Sequence, residues 1–367
     1  MIPITKPKMT ELEINYVNDA ISNGWGVKCF DYINQFKSSL KKYFNVENLW
    51  LTTSCHGALH TVLMAINISY GDEVIVPDYT WIGTANPVKW LGGKVIGCDV
   101  NYEDACIDIN DLETKITTKT KAIIVVHTFG NVANIKRVLD LAKRRNVIVI
   151  EDCAGAFGSE INGKKVGTIG DFGVFSFNAT KMIVTGEGGA IISNNPKYNK
   201  KITLISDQGR DKNSSDSYQI KTVGLKYNMS NIQAALGLAQ LERFDEIKEK
   251  KRKIFLAYEK IFRNNEWFRM QNIEKIDVIN NFWLPTIVFQ NFNINLNSLI
   301  KFVNDNGANI RRSIYTLSQT EPYKKLGTFK NAKIISDNSV CLCTFEEMTI
   351  EQVNHVGNLV ITFLKKS

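Results

Sequence analysis

"KAIIVVHTFGNVANIKRVLDLAKRRNVIVIED", residues 121–152, decides the fold. Two short β-branched runs, 121–128 and 147–152, flank an amphipathic stretch at 135–145. Neither run alternates with polar residues. Each is therefore expected to be a strand covered on both faces, with the stretch between them a helical crossover. Outward from this unit the theme repeats. "LWLTT" (49–53), "DEVIVP" (72–77), "KVIGCDV" (94–100), "FGVFSF" (172–177) and "GAIIS" (189–193) are further strand candidates, and "HGALHTVLMAINI" (56–68) is a further helix. The expected fold class is α/β, a large and mostly parallel sheet with helices on both faces.

Past this region, "SNIQAALGLAQLERFDEIKEKKRKIFLAYEKIF" (230–262) reads as one long helix that passes from apolar to charged. Ser230 and Gln233 stand at capping-box spacing at its start. The helix is expected to connect a large domain, 1–250, to a smaller C-terminal α/β domain, 251–367. The first 30 or so residues are free to pack on the smaller one. Within it, "FWLPTIVF" (282–289) reads as a strand, and "LNSLIKFVNDNG" (296–307) and "TIEQVNHVGNLVITFLKK" (349–366) as helices.

Composition narrows the function. Apolar content of 44% with 22% charge is that of a globular protein, and the net charge of +8 favours anionic partners. The lysines are scattered, and short clusters such as "EIKEKKRK" (246–253) read as solvated helix faces. No zinc finger, aromatic–basic interleave or basic tail argues for nucleic acid, whereas a small phosphate-bearing ligand fits the balance. Seven cysteines without a CxxC pair, and four histidines, give no zinc pattern and imply reduced thiols. The amino terminus lacks a signal-peptide layout, and no apolar run approaches the roughly 18 residues of a membrane span. A cytoplasmic protein with no metal and no membrane partner is expected.

Three segments carry chemistry. In "TTSCHGALH" (52–60) a strand gives way to a helix start, where first-turn amides can cradle an anion; a plain helix cap is the alternative. In "VIVIEDCAGAFGSE" (147–160), Asp152 ends an apolar strand, where open α/β sheets place ligand contacts; a structural cap or ion pair is the alternative. In "FSFNATKMIVTGEGGAI" (175–191), Lys181 stands between an apolar run and a glycine cluster. The cluster satisfies neither GxxxxGK[ST] nor GxGxxG, so the choice lies between a tight turn and a lysine poised for covalent chemistry. A lysine against apolar and glycine-rich backbone is expected to have a depressed pKa. Taken together, anion cradle, strand-end aspartate and lysine match the order that a pyridoxal phosphate site needs.

Over nearly its whole length the chain resembles the nucleotide-sugar aminotransferases of the DegT/DnrJ/EryC/StrS family. The resemblance lies in "MIPITKPKMTELEINYVNDAISNGW", "GDEVIVPDYTWIGTANPV", "VIVIEDCAGAFGS", "GDFGVFSFNATKMIVTGEGGAIIS" and "GLKYNMSNIQAALGLAQLERFD". It implies a fold type I, pyridoxal 5'-phosphate-dependent transferase of the perosamine or viosamine synthase kind. Lys181 would hold the cofactor covalently and Asp152 would pair with its ring nitrogen. Trp81 would stack on one face of the ring and Ala154 would lie under the other. Ser176 and the Cys55–His56–Gly57 helix start would bind the phosphate. Asn228 would reach the phosphate of a neighbouring subunit, giving a homodimer with shared sites. Trp25, Arg311 and Tyr315 are the implied sugar contacts. The glycines after Lys181 would let the chain turn and leave room for substrate, with Glu187 capping or pairing inside that turn.

Four positions depart from the family pattern. Gly155 stands where Gln, His or Glu is usual, Cys55–His56 where Gly–Thr is common, Asn228 where many members have Arg, and Ser318 where His is frequent. Lys181 argues against the related dehydratases, which carry histidine there. The implied reaction moves the amino group of L-glutamate to a nucleotide-linked 4-keto-6-deoxyhexose, giving a 4-amino-4,6-dideoxy sugar for a surface glycan such as lipopolysaccharide O-antigen. A 3-keto-sugar aminotransferase and a non-catalytic relative are the alternatives.

Overall fold

All seven strand candidates form and join one sheet. The structure is a computed structural model that describes residues 1–211, 214–216, 218–263, 266–271, 276–290 and 294–366. The strands are β1 (Leu49–Thr52), β2 (Glu73–Pro77), β3 (Lys94–Cys98), β4 (Thr120–Val126), β5 (Ile148–Asp152), β6 (Phe172–Ser176) and β7 (Gly189–Ser193). Their order is β1-β7-β6-β5-β4-β2-β3. β3, β2, β4, β5 and β6 run parallel, and β7 runs antiparallel to both of its neighbours. β2, β6 and β7 are buried at every position, as unbroken apolar runs require.

The deciding unit folds as its pattern dictates. Helix α1 (Glu11–Asn23) and helix α2 (Asp31–Phe44) precede the sheet, and α3 (Cys55–Ala65) follows β1. The crossover between β4 and β5 is α4 (Ile135–Arg145), which buries Ile135, Val138, Leu141 and Ala142 along one stripe. The Asn134 side chain caps its first turn, and Asn146, in a left-handed conformation, ends it. β4 and β5 then align with Val126 opposite Asp152, which brings the aspartate to the carboxyl edge of the sheet.

The long connector is not one helix. The capping box at Ser230 and Gln233 starts α5 (Asn231–Glu242), but the chain bends at Arg243 before α6 (Phe244–Phe262). The bend sends Phe244 edge-on into Phe157, 4.9 Å between centroids, and against Gly158, where a Cβ would come within 2.3 Å of its ring. Arg243 itself becomes a half-buried junction. Its guanidinium donates to Glu13 of α1 at 2.5 Å and to Glu346 at 2.8 Å.

The C-terminal half builds a second sheet, from β8 (Phe268–Met270), β9 (Thr286–Phe289), β10 (Arg311–Arg312) and β11 (Ser339–Cys341). Its order is β8-β9-β11-β10, antiparallel throughout. Helices α7 (Leu296–Asp305) and α8 (Ile350–Lys366) close over it with a core of their own, which includes Tyr258, Phe262, Phe289, Leu299, Val353 and Val356. The chain start joins this core: Ile2 bridges Ala308, and Thr344 N–H donates to Ile4 O at 2.8 Å. The expected strand at 282–289 begins only at Thr286, because Phe282 adopts a left-handed backbone (φ 59°) and turns Trp283 towards the large sheet. Among the described residues no helix is long and apolar enough to cross a membrane.

Removing the Arg243 side chain would leave the Glu13 and Glu346 carboxylates buried without their counter-charge, and both side chains are under one-tenth exposed. Arg243→Ala should therefore lose about 3–5 kcal/mol of unfolding free energy. Urea denaturation followed by circular dichroism reads this directly, and a midpoint within error of the wild type would refute it.

Candidate active site

Parallel strands end together, so the loops after β2, β4, β5 and β6 meet at one edge of the sheet. There they line a cavity of about 480 Å³ with Ser54, Cys55 and His56 from the start of α3. Its walls also include Tyr79, Trp81, Thr84, His127, Phe129, Asp152, Ala154, Ser176, Lys181, Trp283 and Arg311. That volume suits a small-molecule or cofactor site.

Asp152 is 3% exposed and its carboxylate accepts three bonds. Ala154 N–H donates to Oδ1 at 3.0 Å, the Thr84 hydroxyl donates to Oδ2 at 2.9 Å, and the Cys55 thiol lies 3.9 Å from Oδ1. Burial raises its pKa; these bonds and the Lys181 charge pull it back. A cation brought against the carboxylate would offset the same burial penalty.

Lys181 lies in the hairpin between β6 and β7. Ala179 N–H donates to Gly186 O and Thr185 N–H to Phe177 O, both at 2.8 Å, and Gly186 supplies the positive φ of the turn (82°). Asn178 ties the hairpin together: its side-chain oxygen accepts from Thr180 N–H at 3.2 Å, and its amide donates to Glu187 at 2.7 Å. Burial lowers the Lys181 pKa to about 8, with Cys55 and Asp152 acting in the opposite sense. Gly186 has nothing within 4 Å of where a Cβ would lie, whereas Gly188 and Gly189 are closed in by protein atoms. A Cβ at Gly189 would meet the Ser54–Cys55 backbone at 2.5–2.6 Å, so this glycine lets the lysine hairpin lie directly on the helix start.

At that helix start Ser54 caps α3, accepting from Gly57 N–H at 3.0 Å. The Gly57 amide is thereby taken, and Gly57 is not among the cavity residues. Among the described residues the N–H groups of Cys55 and His56 meet no acceptor, and they lie at the positive end of the helix dipole. The His56 imidazole packs tilted against Trp90, 4.6 Å between centroids, and among the described residues its buried Nε2 has no partner.

The other sequence candidates divide. Trp81, Ala154, Ser176 and Arg311 line the cavity. Trp25, Tyr315 and Asn228 do not. Trp25 is 64% exposed with its indole N–H on Ile21 O, Tyr315 is 58% exposed, and exposed Asn228 donates to Asp207 at 3.4 Å. Two departures acquire physical reasons. A Cβ at Gly155 would come within 2.8 Å of the Trp283 ring. Ser318 donates to buried Asp78 through both its hydroxyl, at 2.7 Å, and its N–H, at 2.8 Å. Sequence reading missed Thr84, Ser54, His127 and Trp283. Thr84 was legible within "PDYTWIGT" only as a loop hydroxyl, and Trp283 is distant in the chain.

Beneath Asp152 lies a second buried carboxylate. Glu151 accepts from Gly167, Ile169 and Gly170 N–H at 2.7–2.9 Å, and lies 3.0 Å from His127 Nε2. Ala133 N–H donates to His127 Nδ1, so the proton sits on Nε2 and points at Glu151. Cys153 completes a cluster within 4.8 Å, but the Glu151 and His127 atoms are already committed to protein partners. These bonds hold the Glu151 pKa below its ordinary value despite burial.

A strand-end carboxylate, a lysine amine with a depressed pKa and unpaired amides at a helix start fit pyridoxal phosphate. On this fold they define a pyridoxal-phosphate-dependent transferase. The chain belongs to the DegT/DnrJ/EryC1/StrS aminotransferase family, which matches residues 7–361. It is 32% identical over 365 residues to a GDP-perosamine synthase of Vibrio cholerae, covering 98% of each chain. It is 39% identical over 289 residues to one of Escherichia coli O157:H7, covering 78% of each. A putative sugar aminotransferase of Streptococcus pneumoniae, Spr1654, solved in its PMP form, superposes over 100% of both chains with a TM-score of 0.92 at 26% identity.

The Glu151 carboxyl is held below its unfolded pKa, so its contribution to stability is complete above about pH 4.5 and fades as pH falls through the folded value. Glu151→Gln turns an amide group towards backbone N–H donors. It should destabilise the protein by about 2–4 kcal/mol at pH 7, and the gap to wild type should narrow below pH 4.5. Thermal unfolding across pH tests the sign; a gap that widened in acid would contradict it.

Proposed function

We propose that this aminotransferase moves the amino group of L-glutamate to a nucleotide-linked 4-keto-6-deoxyhexose. The product would be a 4-amino-4,6-dideoxy sugar, made in the cytoplasm for a glycan such as lipopolysaccharide O-antigen. The observation that carries the catalytic part is the Lys181 amine, with its pKa lowered to about 8, facing the same cavity as buried Asp152. The likeness to two GDP-perosamine synthases supports the choice of substrate.

When bound, pyridoxal phosphate supplies an electron sink that stabilises negative charge at the substrate carbon losing its proton. Lys181 Nζ takes that proton and returns it, a role that suits an amine with a pKa near the working pH. Asp152 presents its carboxylate to a protonated ring nitrogen, held in place by Thr84 and Ala154 N–H. The Cys55 and His56 amides with the Ser176 hydroxyl bind the phosphate. Trp81 and Ala154 flank the ring, and Arg311 faces the substrate side.

Asn228 serves the phosphate of a second copy, which makes the working unit a homodimer. Its exposed position, outside the cavity of its own chain, supports this assignment. So does the exposed apolar set of Trp25, Val27, Phe30 and Trp90.

Two experiments test the proposal. Loaded enzyme given glutamate alone should release 2-oxoglutarate stoichiometrically and change its visible absorbance, whereas Lys181→Ala should do neither while keeping its elution volume. Activity in that variant would refute the assignment. Borohydride reduction of the loaded enzyme should fix the cofactor at position 181, where the amine has its pKa lowered to about 8. Peptide mapping that found the label elsewhere would end the reading.

A further inference from the structure

The Lys181 ammonium lies 3.6 Å from the centroid of the Trp283 ring. Among the described residues that nitrogen makes no hydrogen bond or ion pair. The titratable groups that face it are Asp152 on β5 and the Cys55 thiol at the start of α3, which act in favour of its protonated form, and Arg311 on β10, which opposes it. A lysine that shuttles protons is an ammonium for part of each turnover, and in a water-poor pocket that charge needs a partner. A carboxylate in direct contact would hold the proton tightly. An aromatic face attracts the cation without a hydrogen bond to break.

The indole is fixed in this position from several sides. Its N–H donates to Thr180 O at 2.6 Å, one residue from the lysine. Its backbone N–H donates to Asn281 Oδ1 at 3.0 Å, and the Asn281 amide donates to Gly155 O and Phe157 O, both at 3.0 Å. Phe129 packs on the ring at 5.7 Å between centroids. Phe129 and Phe282 both hold left-handed backbones, φ 52° and 59°, which bulky residues adopt only where the surroundings impose them. Gly155 has no Cβ to collide with the ring.

We infer that the face of Trp283 is the resting place of the Lys181 amine, a positioning residue that holds the protonated amine beside Asp152 whenever it is not engaged. The inference rests on the reading of Lys181 as the reacting amine. It adds the group that governs where that amine waits and how readily it gives up its proton.

Trace acetylation of the full-length protein, stripped of any bound cofactor with hydroxylamine and dialysed, followed by peptide mapping, reads the deprotonated fraction of Lys181 against pH. Trp283→Leu keeps the pocket apolar but removes the π face. It should lower the labelling midpoint and raise modification near neutral pH about three- to tenfold. Trp283→Phe should restore most of the wild-type midpoint. Gly155→Ala, which displaces the indole without deleting it, should behave as Trp283→Leu does. Circular dichroism establishes that each variant is folded; should the leucine variant fail, the phenylalanine and Gly155→Ala pair decides. An unchanged or raised midpoint in Trp283→Leu, or in Gly155→Ala, overturns the inference. So does an equal shift in Trp283→Phe, the mark of altered packing alone. Labelling needs no turnover. A shifted midpoint alongside failed borohydride trapping would leave this inference standing and remove the functional one.

Discussion

The structure turns on keeping a buried carboxylate and a half-buried amine on one cavity without bonding them to each other. Asp152 is held by a hydroxyl, a backbone N–H and a thiol, so its orientation does not depend on Lys181. The lysine rests on an aromatic face rather than on the acid. A direct ion pair would have been simpler to bury, but it would have fixed the proton on the amine. Separating the two leaves a lysine with a lowered pKa and a carboxylate free to face a cationic ring.

That separation requires parts from both halves of the chain. The large sheet supplies Asp152 and the lysine hairpin through parallel strands that end at one edge. The C-terminal half supplies the far wall. Asn281 clamps Trp283 onto Gly155, and Ser318 binds the buried Asp78 at the end of β2. Arg243, at the bend between α5 and α6, bonds to Glu13 of α1 and to Glu346 and so ties the two halves together. The two unusual residues near the site, Gly155 and Ser318, thus belong to the contacts between these halves.

Much of this was legible before any fold was drawn. The seven strands, the crossover helix and the capping box at Ser230 follow from apolar runs and local side-chain chemistry. Asp152, Lys181 and the start of α3 were marked by strand ends, glycines and hydroxyls, and Ser176 by the family resemblance; they line one cavity. The bend at Arg243 was not legible, because the helical pattern is continuous through it. The bend exists for Phe244, whose partners Tyr43 and Phe157 are remote in sequence.

The amino-acid sequence by itself determined the elements and the reacting groups, since both depend on interactions within a few residues: periodicity, caps and the placement of a charged residue at the end of an apolar run. Only the tertiary structure decided why residue 155 has no side chain and what the lysine rests against. Those are contacts between segments more than a hundred residues apart, such as Trp283 with Thr180. Nothing in a local pattern records them, because they come into being only when the second half of the chain closes over the first.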